Sequence, residues 1–387
     1  MQKITTPQRA LMQRLFLALF ALLVAGLAWA GPEDDALAAY LRKDYAAVLK
    51  IVRPPALKGE AWAQNWLADA YRSGLGVVQD YAQALKWYRL AAQQDDADAQ
   101  YNLGVMYAKG QGVVQDDAEA VKWYRLAAQQ GDASAQLNLG IRYDDGRGVV
   151  QDYAEAVKWY RLAAQQGNAG AQSNLGTMYG NGQGVVQDYA EAVKWYRLAA
   201  QQGNAGAQFN LGTMYDKGQG VVQDYVEAVK WYRLAAQQGN ADAQYNLGAM
   251  YEKGQGVVQD DAEAVKWYRL AAQQGDASAQ LNLGIRYDDG RGVVQDYAEA
   301  VKWYRLAAQQ GNAPAQTKLA SMYYKGQGVV QDYVKSHSWL NLAAVKSSHA
   351  AAAKARDAIA KLMTPQQIAD AQKLARDCQA RQFKGCD

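Results

Sequence analysis

Between residues 61 and 348 the apolar positions follow a helical period that stops and restarts at fixed intervals. The stretch 97–132 reads ADAQYNLGVMYAKGQGVVQDDAEAVKWYRLAAQQGD. Gln100, Leu103, Gly104 and Tyr107 fall at i, i+3, i+4 and i+7, one face of a helix. Gly110 ends that helix, and GQGVVQ supplies a turn. Asp116, with Glu119 three residues later, predicts a capping box opening a second helix. Its apolar face carries Ala120, Val121, Trp123, Tyr124, Ala127 and Ala128, while Lys122, Arg125, Gln129 and Gln130 are expected to point outward. Gly131 closes it. The predicted unit is helix A, turn, helix B, turn.

The unit recurs. Trp87, Trp123, Trp159, Trp195, Trp231, Trp267, Trp303 and Trp339 are spaced 36 residues apart. Eight repeats follow without insertion: 61–96, 97–132, 133–168, 169–204, 205–240, 241–276, 277–312 and 313–348. Such a period means an all-α solenoid rather than separate globular domains. Repeats 133–168 and 277–312 are identical, and 97–132 differs from 241–276 only at Val105/Ala249 and Ala108/Glu252. The array has grown by copying blocks. Gly104, Gly140, Gly176, Gly212, Gly248 and Gly284 lie inside helix A, where glycine costs about 1 kcal/mol, and predict close helix contact.

The ends differ from the array. Residues 1–14 are polar and basic, Leu15 to Ala30 is apolar, and Ala28-Trp29-Ala30 precedes GPEDD. This pattern predicts a signal peptide over 1–30, an exported mature chain starting at Gly31, and no membrane span in that chain. Residues 31–60 are expected to form an N-terminal helical cap, an incomplete unit ended by Pro54-Pro55. Residues 349–387 are expected to form a C-terminal cap, an alanine-rich helix followed by one opened by Thr364-Pro365-Gln366-Gln367. Cys378 and Cys386 are the only cysteines, and in an exported chain they predict a disulfide.

The repeat resembles the Sel-one-like repeat (SLR), a relative of the tetratricopeptide repeat, through A-x-x-N-L-G-x-M-Y-x-x-G-x-G-V-x-x-D-x-x-x-A-x-x-W-Y-x-x-A-A-x-x-G. Valine, as at Val114, replaces the usual proline of G-V-P. The resemblance implies a right-handed α/α superhelix whose helix A lines a concave surface, and a role in protein or peptide binding.

Composition narrows the function. Removing the three basic residues of the leader from 41 leaves 38, against 38 acidic residues. A neutral chain has no bulk attraction for nucleic acid or anionic membrane. No catalytic motif is present: neither S-x-x-K, K-T-G, G-x-S-x-G, H-E-x-x-H nor a P-loop occurs. His337 and His349, the only histidines, make no metal pair. The acidic YDDGRGVVQD loops are accounted for as helix ends rather than calcium ligands. No enzyme activity, cofactor or metal is expected, and a monomer is.

Numbering each repeat from its first alanine, positions 4, 7, 8 and 11 scarcely vary and form the packing face. Positions 2, 5, 9, 12 and 13 vary most and fall in the opposite arc. Position 5 carries Tyr101, Leu137, Phe209, Tyr245 and Leu281, candidate contacts for a partner facing away from the repeat's own core. Position 6 carries Asn102, Asn138, Asn174, Asn210, Asn246 and Asn282, suited either to an extended peptide backbone or to bonds with a neighbouring helix. The expected function is an exported binding scaffold. An envelope hydrolase acting on β-lactams or peptidoglycan, and a polysaccharide-binding module, are the alternatives.

Overall fold

The computed structural model describes residues 31–345, 350–383 and 386. The predicted signal peptide and His349 lie outside the described residues. Among these residues all regular structure is helical, in twenty helices. Helices α1 (Pro32–Leu41) and α2 (Tyr45–Leu57) come first. Eight A/B pairs follow: α3 (Ala61–Ser73) and α4 (Tyr81–Ala92); α5 (Ala97–Lys109) and α6 (Asp117–Gln129); α7 (Ala133–Asp145) and α8 (Tyr153–Gln165); α9 (Ala169–Asn181) and α10 (Tyr189–Gln201); α11 (Ala205–Lys217) and α12 (Tyr225–Gln237); α13 (Ala241–Lys253) and α14 (Asp261–Gln273); α15 (Ala277–Asp289) and α16 (Tyr297–Ala308); α17 (Ala313–Lys325) and α18 (Tyr333–Ala344). Helices α19 (Ala350–Ala360) and α20 (Pro365–Ala380) close the chain. The protein is an all-α solenoid of tandem helix-turn-helix repeats. It divides into two compact units, residues to Trp195 and residues from Tyr196.

Local chemistry sets each helix end. Asp116 accepts from the amides of Ala118 and Glu119 and so starts α6. The expected capping box is not completed, because the Glu119 carboxylate turns to Lys122 instead. Gly110 ends α5 at φ +66°, a left-handed conformation that an L side chain resists. Gly104 has a different role: a Cβ there would lie 2.7 Å from the Tyr124 ring and 3.2 Å from the Ala120 carbonyl. Its absence lets α5 and α6 approach. Pro54 and Pro55 do not end the preceding segment. They lie within the last turns of α2, which runs on to Leu57.

In most repeats the fully buried ring is tyrosine, and the comb tryptophan is more exposed; in repeat 8 Trp339 is itself the buried ring. Tyr88, Tyr160, Tyr232, Tyr268 and Tyr304 are fully buried, whereas Trp87, Trp123, Trp195, Trp231 and Trp267 are half-buried. Lysine ammoniums sit about 5.5 Å over several of these indoles, as Lys158 does over Trp159.

Three polar devices join repeats. Position 4 is a buried glutamine. In the second unit, Gln244 donates to the Ala236 carbonyl of the preceding repeat at 3.0 Å and receives Gln274 Nε2 at 2.7 Å. In the first, Gln100 does the same with Ala92 and Gln130. The second device is a latch from helix B to the next helix A. Arg125 donates to the Tyr143 hydroxyl at 2.9 Å, and Arg233 to that of Tyr251 at 2.9 Å. Arg125, expected to face solvent, is therefore a half-buried joint residue, while Gln130 is exposed as expected and still reaches Gln100. The third is ionic. Arg142 binds Asp117 at 2.6 Å, and Arg286 binds Asp261 at 3.0 Å.

At the N-terminal end, Ala36, Ala39, Val48, Leu49 and Val52 pack with Leu67 of α3. At the other end, Ile359, Ala375 and Cys378 join Trp339 and Leu340 of α18. Thr364 and Gln367 form the expected reciprocal cap of α20. Cys378 and Cys386 are joined as a disulfide, with Cα atoms 5.1 Å apart.

Candidate interaction surface

Positions 5, 6, 9 and 12 of helix A form a candidate surface. Position 5 is not turned away from its own repeat. Tyr101, Leu137, Phe209, Tyr245 and Leu281 are half-buried. The Tyr101 ring lies 6.0 Å from Tyr124, Phe209 lies 5.9 Å from Tyr232, and Tyr245 lies 5.8 Å from Tyr268. Each lies against the core tyrosine of its own helix B. Helix A is covered by its own helix B and by adjoining repeats. Its buried arc is therefore wider than a single-face helical wheel allows.

The core tyrosines bring their hydroxyls to the same surface. Tyr160 reaches Asp144 at 3.1 Å, Tyr268 reaches Glu252 at 2.6 Å, and Tyr304 reaches Asp288 at 3.1 Å, each carboxylate standing at position 12. Tyr232 meets Thr213 at 3.1 Å and Asp216 at 3.5 Å. Burial raises the phenol pKa in each case, and for Tyr232 it is pushed up to about 12. Burial also raises Tyr101 and Tyr245. The hydroxyls of Tyr160, Tyr232, Tyr268 and Tyr304 stay protonated and serve as hydrogen-bond donors to the carboxylates.

The asparagines of position 6 stand at the boundary with the preceding repeat. Asn138 donates to the Ser134 carbonyl at 3.0 Å and reaches the Tyr101 hydroxyl at 3.5 Å. Asn174 stands near the Tyr160 hydroxyl, Asn246 near that of Tyr232 and Asn282 near that of Tyr245, each working against the upward pKa shift that burial causes. Asn102 and Asn210 are half-buried at the equivalent place. The sequence does not show that the row meets tyrosine hydroxyls of the preceding repeat. In repeat 8, positions 5 and 9, Thr317 and Ser321, line an apolar cleft of about 380 Å³ with Tyr324, Leu340, Ile359 and Leu362.

The residues with catalytic potential are engaged otherwise. His337 is buried with its ring against Asn341, and burial lowers its pKa. Ser336 beside it donates to the Ala320 carbonyl at 2.7 Å rather than to that ring. Among the described residues no group of three or more His, Cys, Asp or Glu is placed to hold a metal ion. No helix there is long and apolar enough to cross a membrane.

Comparison with known proteins agrees with the repeat. A protective antigen present in uropathogenic Escherichia coli strains, displaying an SLR fold, is 32% identical. The match covers 96% of each chain with a TM-score of 0.50. A Sel1 repeat protein from Oxalobacter formigenes is 35% identical over 62% of this chain and 96% of its own, with a TM-score of 0.58. No curated protein matches the chain. The Sel1 repeat profile matches eight times in succession, at residues 63–96, 97–132, 133–168, 169–204, 205–240, 241–276, 277–312 and 313–344. The chain belongs to the Sel1 repeat family, whose members commonly act as protein-protein interaction scaffolds.

Proposed function

We propose that this chain is an exported, non-enzymatic, monomeric scaffold that binds a protein or peptide partner along the helix-A surface. One observation carries the reading. Positions that join repeats keep their residues, Gln at 4, Leu at 7 and Arg on helix B. Positions 5, 9 and 12 change from repeat to repeat on that fixed frame. A surface that varies while its support does not is suited to reading a partner unit by unit. The half-buried rings of Tyr101, Phe209 and Tyr245 would be rigid anchors, as buried aromatics are at interfaces. The asparagines contribute by orienting the tyrosines of this surface.

Export is supported by the pattern of residues 1–30, by the disulfide, and by likeness over nearly the whole chain to a protective antigen. Residues 31–60 and 349–387 are proposed as end caps, supported by the apolar surface they share with repeats 1 and 8. Intact-mass analysis of protein from the native host should show a chain beginning at Gly31. Retention of Met1 or Gln2 would refute export.

The mature chain should capture a partner from envelope or host-surface extracts. Tyr101→Ala, Phe209→Ala and Tyr245→Ala should each weaken that binding by 1 kcal/mol or more. Because the rings touch core tyrosines, each should also lower stability, by about 1–2 kcal/mol. Unchanged binding by all three folded variants would sink the helix-A reading.

A further inference from the structure

Residues 97–168 and 241–312 differ only at Val105/Ala249 and Ala108/Glu252. The second stretch therefore shows what a carboxylate at position 12 does in an otherwise identical setting. There the Glu252 carboxylate accepts the Tyr268 hydroxyl at 2.6 Å and pairs with the Arg286 guanidinium. Arg286 also holds Asp261, which Arg291 joins from the other side at 3.2 Å. Two guanidiniums face two carboxylates, and the Arg286 side chain is only 4% exposed.

In the first stretch Ala108 removes one of those carboxylates. Asp117 still binds Arg142 at 2.6 Å and Arg147 at 3.5 Å, so two guanidiniums now face one carboxylate. The Arg142 side chain is more open, at 11% exposure. Tyr124 remains buried, with the Arg142 guanidinium 6.0 Å from its ring, and among the described residues no carboxylate accepts its hydroxyl as Glu252 accepts that of Tyr268. Tyr101, on the proposed partner-facing surface, lies with its ring 6.0 Å from that of Tyr124. Asp132, the other acid near Tyr101, is occupied in capping α7.

We propose that the gap left by Ala108 between Tyr124 and Arg142 is a binding site for a carboxylate, supplied by a glutamate side chain of the polypeptide partner. This rests on the reading of the helix-A surface as the partner-binding face, and it names what that face selects. The partner's carboxylate takes the place that Glu252 fills in the second stretch. It accepts from the Tyr124 hydroxyl and the Arg142 guanidinium and balances the surplus cation. Repeats 6 and 7 carry their own carboxylate and are closed to such a ligand. Two nearly identical blocks thus differ in whether they read an acidic residue.

The test uses the full mature chain and N-acetyl-glutamate methylamide as the probe, with its glutamine counterpart and acetate as controls. Arginine side-chain Nε–H signals are followed by NMR. Arg142 should respond to the glutamate probe, and at least tenfold more weakly to the glutamine probe. Ala108→Glu should abolish the response. Glu252→Ala should create a second responding site at Arg286, and if that variant unfolds, Ala108→Glu alone decides. A silent Arg142, or a response that survives Ala108→Glu, would overturn the site. Acetate bound as tightly as the glutamate probe would overturn its assignment to a polypeptide side chain. A natural partner held equally by wild type and Ala108→Glu would refute the carboxylate site while leaving the scaffold function intact.

Discussion

Replacing Gln244 by Leu tests the joint between repeats 5 and 6. Gln244 is 4% exposed and makes two hydrogen bonds, to the Ala236 carbonyl and from Gln274. Leucine has nearly the same volume, so little cavity is left. What is lost is the pair of hydrogen bonds, each worth about 0.5–1.5 kcal/mol. The groups left behind are partly cared for. The Ala236 carbonyl keeps the Gly239 amide at 3.0 Å, and the exposed Gln274 can turn to water. The expected cost is therefore about 1–2 kcal/mol. Gln274→Ala removes one bond from an exposed residue and should cost about 0.5–1 kcal/mol. The double variant should show coupling between the two. Urea unfolding followed at 222 nm measures all three, and an unchanged m-value is required for comparison. If Gln244→Leu costs nothing, or costs no more than Gln274→Ala, the buried glutamine is not a structural joint.

Three further outcomes are expected. The Tyr232 phenol, raised to about 12 by burial, favours its protonated form when folded, so its contribution to stability is intact below pH 10, the ordinary value, and is lost as pH rises toward about 12. Titration at 295 nm should show this tyrosine ionising well above pH 10 or only on unfolding, and ionisation near pH 10 in the folded chain would contradict it. Gly248→Ala gains about 1 kcal/mol of helix propensity but places a Cβ 2.8 Å from the Tyr268 ring, so overpacking of about 1–3 kcal/mol should leave a net loss in denaturant titration. Reducing the Cys378–Cys386 disulfide opens a nine-residue loop and should cost the C-terminal helices about 2–3 kcal/mol, seen as faster amide exchange in α19 and α20 with the repeats unaffected.

The fold was legible because each repeat announces its own punctuation. Gly110 and Asp116 bracket a turn, the 36-residue comb fixes the count, and Gly104 betrays a close approach. The surface was legible only in part. A helical wheel treats helix A as having one packed side, whereas the structure packs it against both its own helix B and the helix B before it. Tyr101 thus became a half-buried ring instead of a free one. Arg125 read as solvated because its acceptor, the Tyr143 hydroxyl, is 18 residues away on the next helix A. Long polar side chains that bridge repeats leave no periodic trace that separates them from those that face water.

The ionic junctions carry a rule about inheritance. Where helix B begins with tyrosine, as at Tyr81, Tyr153, Tyr225 and Tyr297, position 10 of the next repeat is methionine: Met106, Met178, Met250 and Met322. Where it begins with Asp117 or Asp261, that position is Arg142 or Arg286. Deleting residues 133–168 alone would set Asp117 against Met178 and strand a carboxylate. Excising 144 residues by crossover between the identical repeats 133–168 and 277–312 instead restores an arginine to Asp117. The chain can shorten or lengthen through that exchange without an orphaned charge, so the heritable module is the matched pair of repeats, and lengths of this gene that split the pair should be purged.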